Sequence, residues 1–158
     1  MQNEYLVIVS CGKNKAWDRR PEAGPLPACE AYTSPAFKAS RRYAEYFARE
    51  HWLILSAKYG LIEPGFPIPG NYNVKFGDAG AVSPAVLRAQ VAKNRFAALK
   101  TVGVLGPEAY WLRVTDAFAG SAVVLRHLNG NVSFAPSFIN LIDRLIAKDT
   151  PFRENLEK

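Results

Sequence analysis

Polar side chains that could do chemistry follow three of the four apolar runs in this sequence. The apolar runs are residues 5–10, 52–57, 101–106 and 122–127. The groups at the ends of the first, second and fourth runs are, in that order, Ser10, Cys11, Gly12 and Lys13; Ser56, Lys58 and Tyr59; His127 and Asn129. In an open α/β sheet, ligands bind beyond the carboxyl ends of the strands. We therefore expect these side chains to line one cleft at one edge of a sheet.

The segment after the first run is both basic and aromatic. Gly12 permits a tight turn, in which backbone N–H groups and the Lys13 ammonium could hold an anion, although the spacing is not that of a P-loop. Lys15 and Trp17 follow closely, and this combination suits a phosphate backbone with a stacked base. The alternative is an ordinary charged loop with solvated lysines.

Two groups could take part directly in bond breaking or making. Cys11 could be a nucleophile if His127 activates it, but a small buried residue is the simpler interpretation. His127 could act as an acid, a base or an electrophile, or it could bond a nearby carbonyl in a structural role. Asn129 could bind substrate or simply form a turn.

The motif Asn71-Tyr72-Asn73 lies in a second polar segment. Amides can read the edge of a nucleobase, and a tyrosine face can stack on it; the alternative is a loop that satisfies its own hydrogen bonds. Asp78 and Asp18 are the candidates for activating water. No metal-binding motif and no paired carboxylates occur, so we expect neither a metal nor a cofactor.

The elements that must position these groups follow an alternating order. The nearly continuous apolar runs 5–10, 52–57, 101–106 and 122–127 are typical of strands buried on both faces of a parallel sheet. Ser34-Pro35, Ser83-Pro84 and Gly106-Pro107 open helices between them, and a last helix carries Phe138 to Ile146. We predict one three-layer α/β domain, residues 1–158, with a four-stranded parallel sheet and helices on both faces.

Composition narrows the class of protein. The chain has 158 residues, is 49% hydrophobic and carries a net charge of +6 with a pI of about 9.4. The apolar runs are too short for a membrane span or a signal peptide, and two cysteines make no disulfide framework. We expect a cytoplasmic monomer whose charge favours a polyanion, DNA or RNA.

Three segments carry a resemblance to a known family. Ser-Cys-Gly-Lys-x-Lys (10–15), Ala-Tyr-Thr-Ser-Pro-Ala-Phe (31–37) and Trp-Leu-Ile-Leu-Ser-Ala-Lys-Tyr-Gly-Leu-Ile-Glu-Pro (52–64) resemble the DUF6884 family. That family looks related to the YaaA-like DNA-binding proteins of peroxide stress, and it is similar to the catalytic domain of archaeosine synthase. The layout also resembles the uracil-DNA glycosylase superfamily, without its Gly-Gln-Asp-Pro-Tyr motif.

Residues and resemblance together predict a DNA glycosylase-like hydrolase. It would flip a modified base, such as a bulky modified cytosine of phage DNA, and cleave its N-glycosidic bond to leave an abasic site. The predicted catalytic residues are Lys13, His127, Asn73 and Asp78, and the predicted substrate-binding residues are Ser10, Cys11, Gly12, Lys15, Trp17, Ser34, Ser56, Lys58, Tyr59, Asn71, Tyr72 and Asn129. The alternatives are a non-catalytic DNA-binding stress protein of the YaaA type and a nucleotide or nucleoside N-glycosidase.

Overall fold

Strands and helices alternate along most of the chain. The computed structural model describes residues 4–148, so the predicted domain 1–158 extends past the described residues at both ends. The strands are β1 (Tyr5–Ser10), β2 (Leu26–Pro27), β3 (Trp52–Ser56), β4 (Gly60–Ile62), β5 (Pro67–Ile68), β6 (Thr101–Leu105) and β7 (Val124–His127). The helices are α1 (Ala28–Ala31), α2 (Pro35–Ala48), α3 (Pro84–Lys93), α4 (Glu108–Ala117) and α5 (Ala135–Ala147), with short 3-10 turns at Ala16–Asp18 and Phe96–Ala98.

The central sheet is mixed and has five strands in the order β4-β3-β1-β6-β7. The four predicted strands are confirmed as parallel neighbours, but the prediction of a four-stranded, all-parallel sheet is wrong, because β4 pairs antiparallel with β3. The reversal follows from local structure. Ser56 Oγ accepts hydrogen bonds from the backbone N–H groups of Lys58 and Tyr59, and Gly60 has φ +81°. Glycine tolerates that left-handed conformation at no steric cost.

Helices cover both faces of the sheet, as the predicted α/β class requires. Alternate residues along a strand point to opposite faces, and β1 shows this directly. Val7 and Val9 pack in the core beneath α2 and α5, whereas Leu6 and Ile8 pack in the core beneath α3 and α4. The middle residues of β1, β3 and β6 are therefore apolar, and polar side chains of these strands occur at their ends.

The predicted helix starts are confirmed for α2 and α3. Ser34 Oγ accepts from the Phe37 N–H and Ser83 Oγ accepts from the Val86 N–H, each with proline at the first helical position. The apolar stripe Ala85, Ala89, Ala92, Phe96 and Leu99 predicts a helix that continues to residue 99, and this prediction is wrong, because α3 ends at Lys93. Arg95 adopts φ +58° and ends the helix, so that only a 3-10 turn follows.

The polar segments 11–33 and 58–82, which follow the first two apolar runs, are predicted to be long loops, and in the structure these two loops are joined to each other. Strand β2 from the first loop pairs antiparallel with β5 from the second. The backbone N–H groups of Ala28 and Cys29 also donate to the carbonyls of Phe66 and Pro64 at 2.8 Å each. These contacts bring the segment after β1 against the segment after β3, above the carboxyl end of the sheet. Within residues 4–148, no helix is long and apolar enough to cross a membrane.

Candidate functional site

A surface pocket of about 510 Å³ lies where the two loops meet. Its lining comes from both: Lys13, Asn14 and Asp18 from the first loop, and Asn71, Tyr72 and Asn73 from the second. Of the nine strand-end residues expected to line one cleft, Lys13 alone lines this pocket, and it does so together with the Asn71-Tyr72-Asn73 motif and Asp18. Asn14 was missed by the sequence reasoning, although it stands between two lysines that were singled out.

Tyr72 is held from several sides. Its hydroxyl hydrogen-bonds with the hydroxyls of Tyr32 and Ser56, the latter at 2.9 Å. Its ring meets the Tyr59 ring edge-on with centroids 5.5 Å apart. Burial raises the pKa of Tyr72 to about 12, so the phenol stays neutral at physiological pH and the ring presents an uncharged aromatic surface.

Lys15 is buried behind the side of the pocket that Tyr72 forms, which we call the pocket wall. The sequence predicted instead an exposed lysine that binds substrate. Only 5% of the residue is exposed. Its Nζ donates to the Lys13 carbonyl at 3.0 Å and lies 4.4 Å from the centroid of the Tyr72 ring. Burial lowers the pKa of Lys15, and the charges of Cys11 and Asp18 oppose that shift.

Asp18 is an exposed carboxylate with two fixed donors. Its Oδ2 accepts from the backbone N–H of Lys15 at 2.8 Å, and its Oδ1 accepts from Asn71 Nδ2 at 3.3 Å. These hydrogen bonds, that of Lys15 first, lower the pKa of Asp18. Asn71 is itself oriented, because its Oδ1 accepts from the Tyr72 N–H. The pocket therefore contains an ionised carboxylate at physiological pH.

A second polar group lies beside Tyr72 at the end of β1. Cys11 Sγ and the Tyr110 hydroxyl are 3.3 Å apart. Burial raises the pKa of both Tyr32 and Tyr110, with a smaller contribution from the Cys11 charge. Tyr32 and Tyr110 were missed by sequence reasoning. Tyr32 stands in one of the three segments that carry the family resemblance, whereas nothing in the sequence singles out Tyr110.

Several predicted substrate-binding residues have structural contacts instead. Trp17 is 3% exposed and donates from Nε1 to the Gly24 carbonyl, so it is not available to stack on a base. Ser34 caps α2, and Ser56 is fully buried within the β3–β4 turn. Gly12 lies so close to Ser34 that a Cβ there would stand 2.8 Å from its Oγ.

The β6–β7 part of the edge is occupied by its own hydrogen bonds. Asn129, 3% exposed, accepts from the Gly106 N–H and donates to the carbonyls of Gly106 and Val132, each at 3.0 Å. His127 donates from Nε2 to the same Gly106 carbonyl at 2.8 Å and stacks on Trp111. The predicted substrate contact of Asn129 has no free amide atom to make it. His127 therefore makes the carbonyl bond of the structural alternative, and its catalytic role stays a prediction.

The remaining predicted residues are distributed around the pocket and the adjoining turns. Asp78 accepts from the Lys75 N–H at 2.9 Å and so closes a turn. Lys58 is exposed, with Nζ 5.3 Å from the Tyr59 ring centroid and 5.4 Å from that of Tyr72. Ser10 is half-buried against Gly106, where an added Cβ would meet its side chain at 2.8 Å. No group of three or more metal-ligating side chains occurs in the described part of the chain.

Comparison with known proteins assigns the chain to a family. The model of a family of unknown function, DUF6884, matches residues 6–130, which include both loops and the pocket. The uncharacterized protein YfjM of Bacillus subtilis (strain 168) is 41% identical over 107 residues, which cover 66% of this chain and 71% of that protein. No solved structure matches the chain. The match over most of the sequence confirms the resemblance seen in the motifs, and the chain belongs to the DUF6884 family.

Proposed function

We propose that the protein is a DNA glycosylase-like hydrolase that cleaves the N-glycosidic bond of a flipped, modified base and leaves an abasic site. The observation that carries this proposal is the pocket itself. A carboxylate, an aromatic ring, side-chain amides and an exposed lysine line one concave surface between two loops. These are the groups that recognition and hydrolysis of a flipped nucleoside need.

Recognition of the base falls to Tyr72 and Asn73. Tyr72 offers a ring whose position is fixed by its hydroxyl partners and by Tyr59. Among the described residues, nothing hydrogen-bonds to the Asn73 side chain, so its amide is available to a base edge. Asn71 is instead engaged with Asp18 and with the Tyr72 backbone.

The carboxylate best placed to activate water is Asp18. It is the one acidic residue among those that line the pocket, and its hydrogen bonds to Lys15 and Asn71 keep it ionised. In the proposed step, the water oxygen bonds to C1′, the C1′–N bond breaks, the base leaves with the bonding electron pair, and Asp18 takes a proton from the water. Asp78, the other sequence-based candidate, accepts a hydrogen bond from the Lys75 N–H and lies outside this lining.

Lys13 supplies positive charge in this mechanism. Its side chain is exposed and lines the pocket, so the ammonium can bind a flanking phosphate or stabilise charge on the departing base. A charged amine cannot attack C1′, and we therefore propose a monofunctional enzyme. The net charge of +6 supports DNA as the partner, because neutralising phosphates contributes much of DNA affinity.

The proposal includes a uracil-DNA glycosylase-like arrangement and kinship with the archaeosine synthase catalytic domain. Its support is the parallel order β3-β1-β6-β7, with a central first strand whose following loop lines the pocket. A bulky modified cytosine of phage DNA is the proposed target, because the pocket lies between two long loops and is open enough for a substituted base.

The test is a panel of duplex and single-stranded DNAs that carry different modified bases. We expect alkali-labile abasic sites with at least one modified base, and strand breaks only after alkali or heat. Binding without base loss would favour a non-catalytic DNA-binding protein. Activity on free nucleosides, with little dependence on salt, would favour a nucleoside N-glycosidase, since DNA binding weakens steeply with salt.

Lys13 variants test the charge mechanism. Lys13→Ala should abolish base release without a large change in melting temperature, because an exposed loop lysine contributes little to stability. Lys13→Arg keeps the charge and should retain part of the activity. A borohydride-trapped protein–DNA adduct that disappears in Lys13→Ala would instead show that the amine attacks C1′.

A further inference from the structure

Lys15 is the one buried lysine among residues 4–148. Its ammonium lies behind the pocket wall and does not line the pocket. In the described part of the chain, no carboxylate forms an ion pair with it. Its hydrogen-bond partner is a backbone carbonyl and its other close neighbour is an aromatic ring, so the charge is only partly compensated.

Three contacts of Lys15 end on residues that line the pocket. Its backbone N–H donates to Asp18 at 2.8 Å, its Nζ donates to the Lys13 carbonyl at 3.0 Å, and Nζ lies 4.4 Å from the centroid of the Tyr72 ring. One residue therefore connects the carboxylate, the exposed lysine and the aromatic ring. These three groups come from two loops, and Lys15 is a direct link between them.

Stability alone does not account for a lysine at this position. Removing an ammonium from water is costly, and a well-packed apolar side chain in place of a buried charge is often neutral or stabilising. Methionine has nearly the length and flexibility of the lysine stem and would fill the same space. A buried charge that an apolar residue could replace therefore suggests a contribution to function.

We infer that Lys15 is a positioning residue, whose buried ammonium holds Tyr72 and the Lys13 backbone in the arrangement that the reaction requires. The inference rests on the proposed function and adds a residue that does not touch DNA. Because it acts from behind the wall, Lys15 contributes to turnover and not to DNA affinity. Small displacements of catalytic groups reduce rates strongly even when binding is kept.

The test compares Lys15→Met and Lys15→Arg with the wild-type chain on the modified DNA that the wild type cleaves. For Lys15→Met we expect a melting temperature at or above that of the wild type, a kcat lower by roughly tenfold or more and a KM within about twofold. Lys15→Arg keeps the charge and should recover part of the lost kcat.

Two other lysines provide matched comparisons. Lys93, exposed at the end of α3 away from the pocket, loses the same charge in Lys93→Met and should leave both kcat and KM unchanged. Lys58 approaches the same Tyr72 ring but is exposed. Lys58→Met should therefore raise KM, and the size of the increase should depend on salt.

Each outcome decides the role of Lys15. A stable Lys15→Met variant with wild-type kcat overturns the inference, as does a variant that fails to fold, because Lys15 is then a purely structural residue. A raised KM with unchanged kcat also overturns it and assigns Lys15 to DNA binding. A wild-type chain that releases no base from any DNA overturns the proposed function itself, and the role of Lys15 falls with it.

Discussion

The two halves of the sheet's carboxyl edge use their polar side chains differently. After β1 and β3, a carboxylate, amides and a lysine face a pocket that is open to solvent. After β6 and β7, His127 and Asn129 both bind Gly106, and Asn129 is almost completely buried. Residue type at a strand end therefore does not decide availability to a ligand. Availability depends on whether the protein already satisfies the hydrogen bonds.

The length of the connections explains this difference. Long loops follow β1 and β3, and they join through β2 and β5 to leave a concave surface between them. The connection from β6 to α4 is short, so Gly106 turns sharply and its backbone needs partners. His127 and Asn129 supply those partners, since a buried carbonyl or N–H without a hydrogen bond destabilises the fold.

The largest effect that the comparison predicts is on Asp18. Asp18→Asn removes the proton acceptor from the pocket, and we expect the rate of base release to fall by about a hundredfold to ten-thousandfold. The matched variant is Asp78→Asn, which changes a carboxylate that closes a turn, and it should stay within about threefold of the wild type. Abasic-site formation measures both. The reverse result would return the role to Asp78.

The pH dependence sharpens the same assignment. Hydrogen bonds from the Lys15 N–H and then from Asn71 lower the pKa of Asp18 below the ordinary 3.8. A depressed carboxyl pKa means that the ionised form persists as pH falls, until the folded-state pKa is reached. We expect base release to keep its rate from neutral pH down to about pH 4. A fall in the rate of base release on acidification, centred near pH 6, would mean that a group other than Asp18 activates the water.

The second effect is on stability and concerns the other half of the edge. Asn129→Ala leaves the N–H and carbonyl of Gly106 and the carbonyl of Val132 with fewer partners in a buried site. We expect a loss of about 2–4 kcal/mol in the free energy of unfolding. Urea denaturation measures it. A near-neutral change together with loss of DNA cleavage would instead show that Asn129 binds substrate.

A smaller effect is expected for His127. His127→Phe keeps an aromatic ring on Trp111 but removes the hydrogen bond to the Gly106 carbonyl, which should cost about 1 kcal/mol. Base release should stay within about threefold of the wild type at a temperature where both are folded. A hundredfold loss of activity in a stable variant would restore the predicted acid, base or electrophile.

Sequence patterns predicted the parts that depend on apolar periodicity and on local capping. The four parallel strands and the serine-proline helix starts need only neighbouring residues to be recognised. The segment Lys-Tyr-Gly-Leu-Ile-Glu-Pro (58–64) predicts only a turn after β3, because the three residues of β4 carry too little pattern to indicate a strand. Its pairing depends on Ser56 and on Gln90, which accepts from the Leu61 N–H and donates to the Tyr59 carbonyl.

The site was predicted in part for a related reason. Lys13, Asn71, Tyr72 and Asn73 could be grouped because they follow strands or stand in one polar motif. Which of two nearby lysines is buried could not be read, since Lys13 and Lys15 have similar sequence surroundings. Lys15 pairs in an antiparallel β-bridge with Tyr32, which lies far from it in the chain, and in the structure Lys15 is buried whereas Lys13 is exposed.

The smallest predicted effect concerns how the free energy of unfolding depends on pH, because burial of the Lys15 ammonium destabilises the fold to a different extent at different pH. Burial lowers the pKa of Lys15 below the usual 10.5. Below the folded-state pKa both folded and unfolded chains carry the proton, and the full cost of burying the ammonium is present. Between the two pKa values the unfolded chain binds a proton that the folded chain does not, so the wild type gains stability as pH rises.

The stability advantage of Lys15→Met over the wild type should therefore be largest near neutral pH and shrink as pH approaches about 10. Urea denaturation of both proteins at several pH values measures the difference. Cys11, Asp18 and Tyr72 also face this ammonium, so the same pair is compared in a Cys11→Ser background, which removes the neighbouring thiol. An advantage that stays constant with pH would mean that Lys15 titrates like a solvated lysine. In that case burial of Lys15 behind the pocket would cost no stability that depends on pH. The pocket would then resemble the β6–β7 edge, where buried polar groups are fully hydrogen-bonded within the protein.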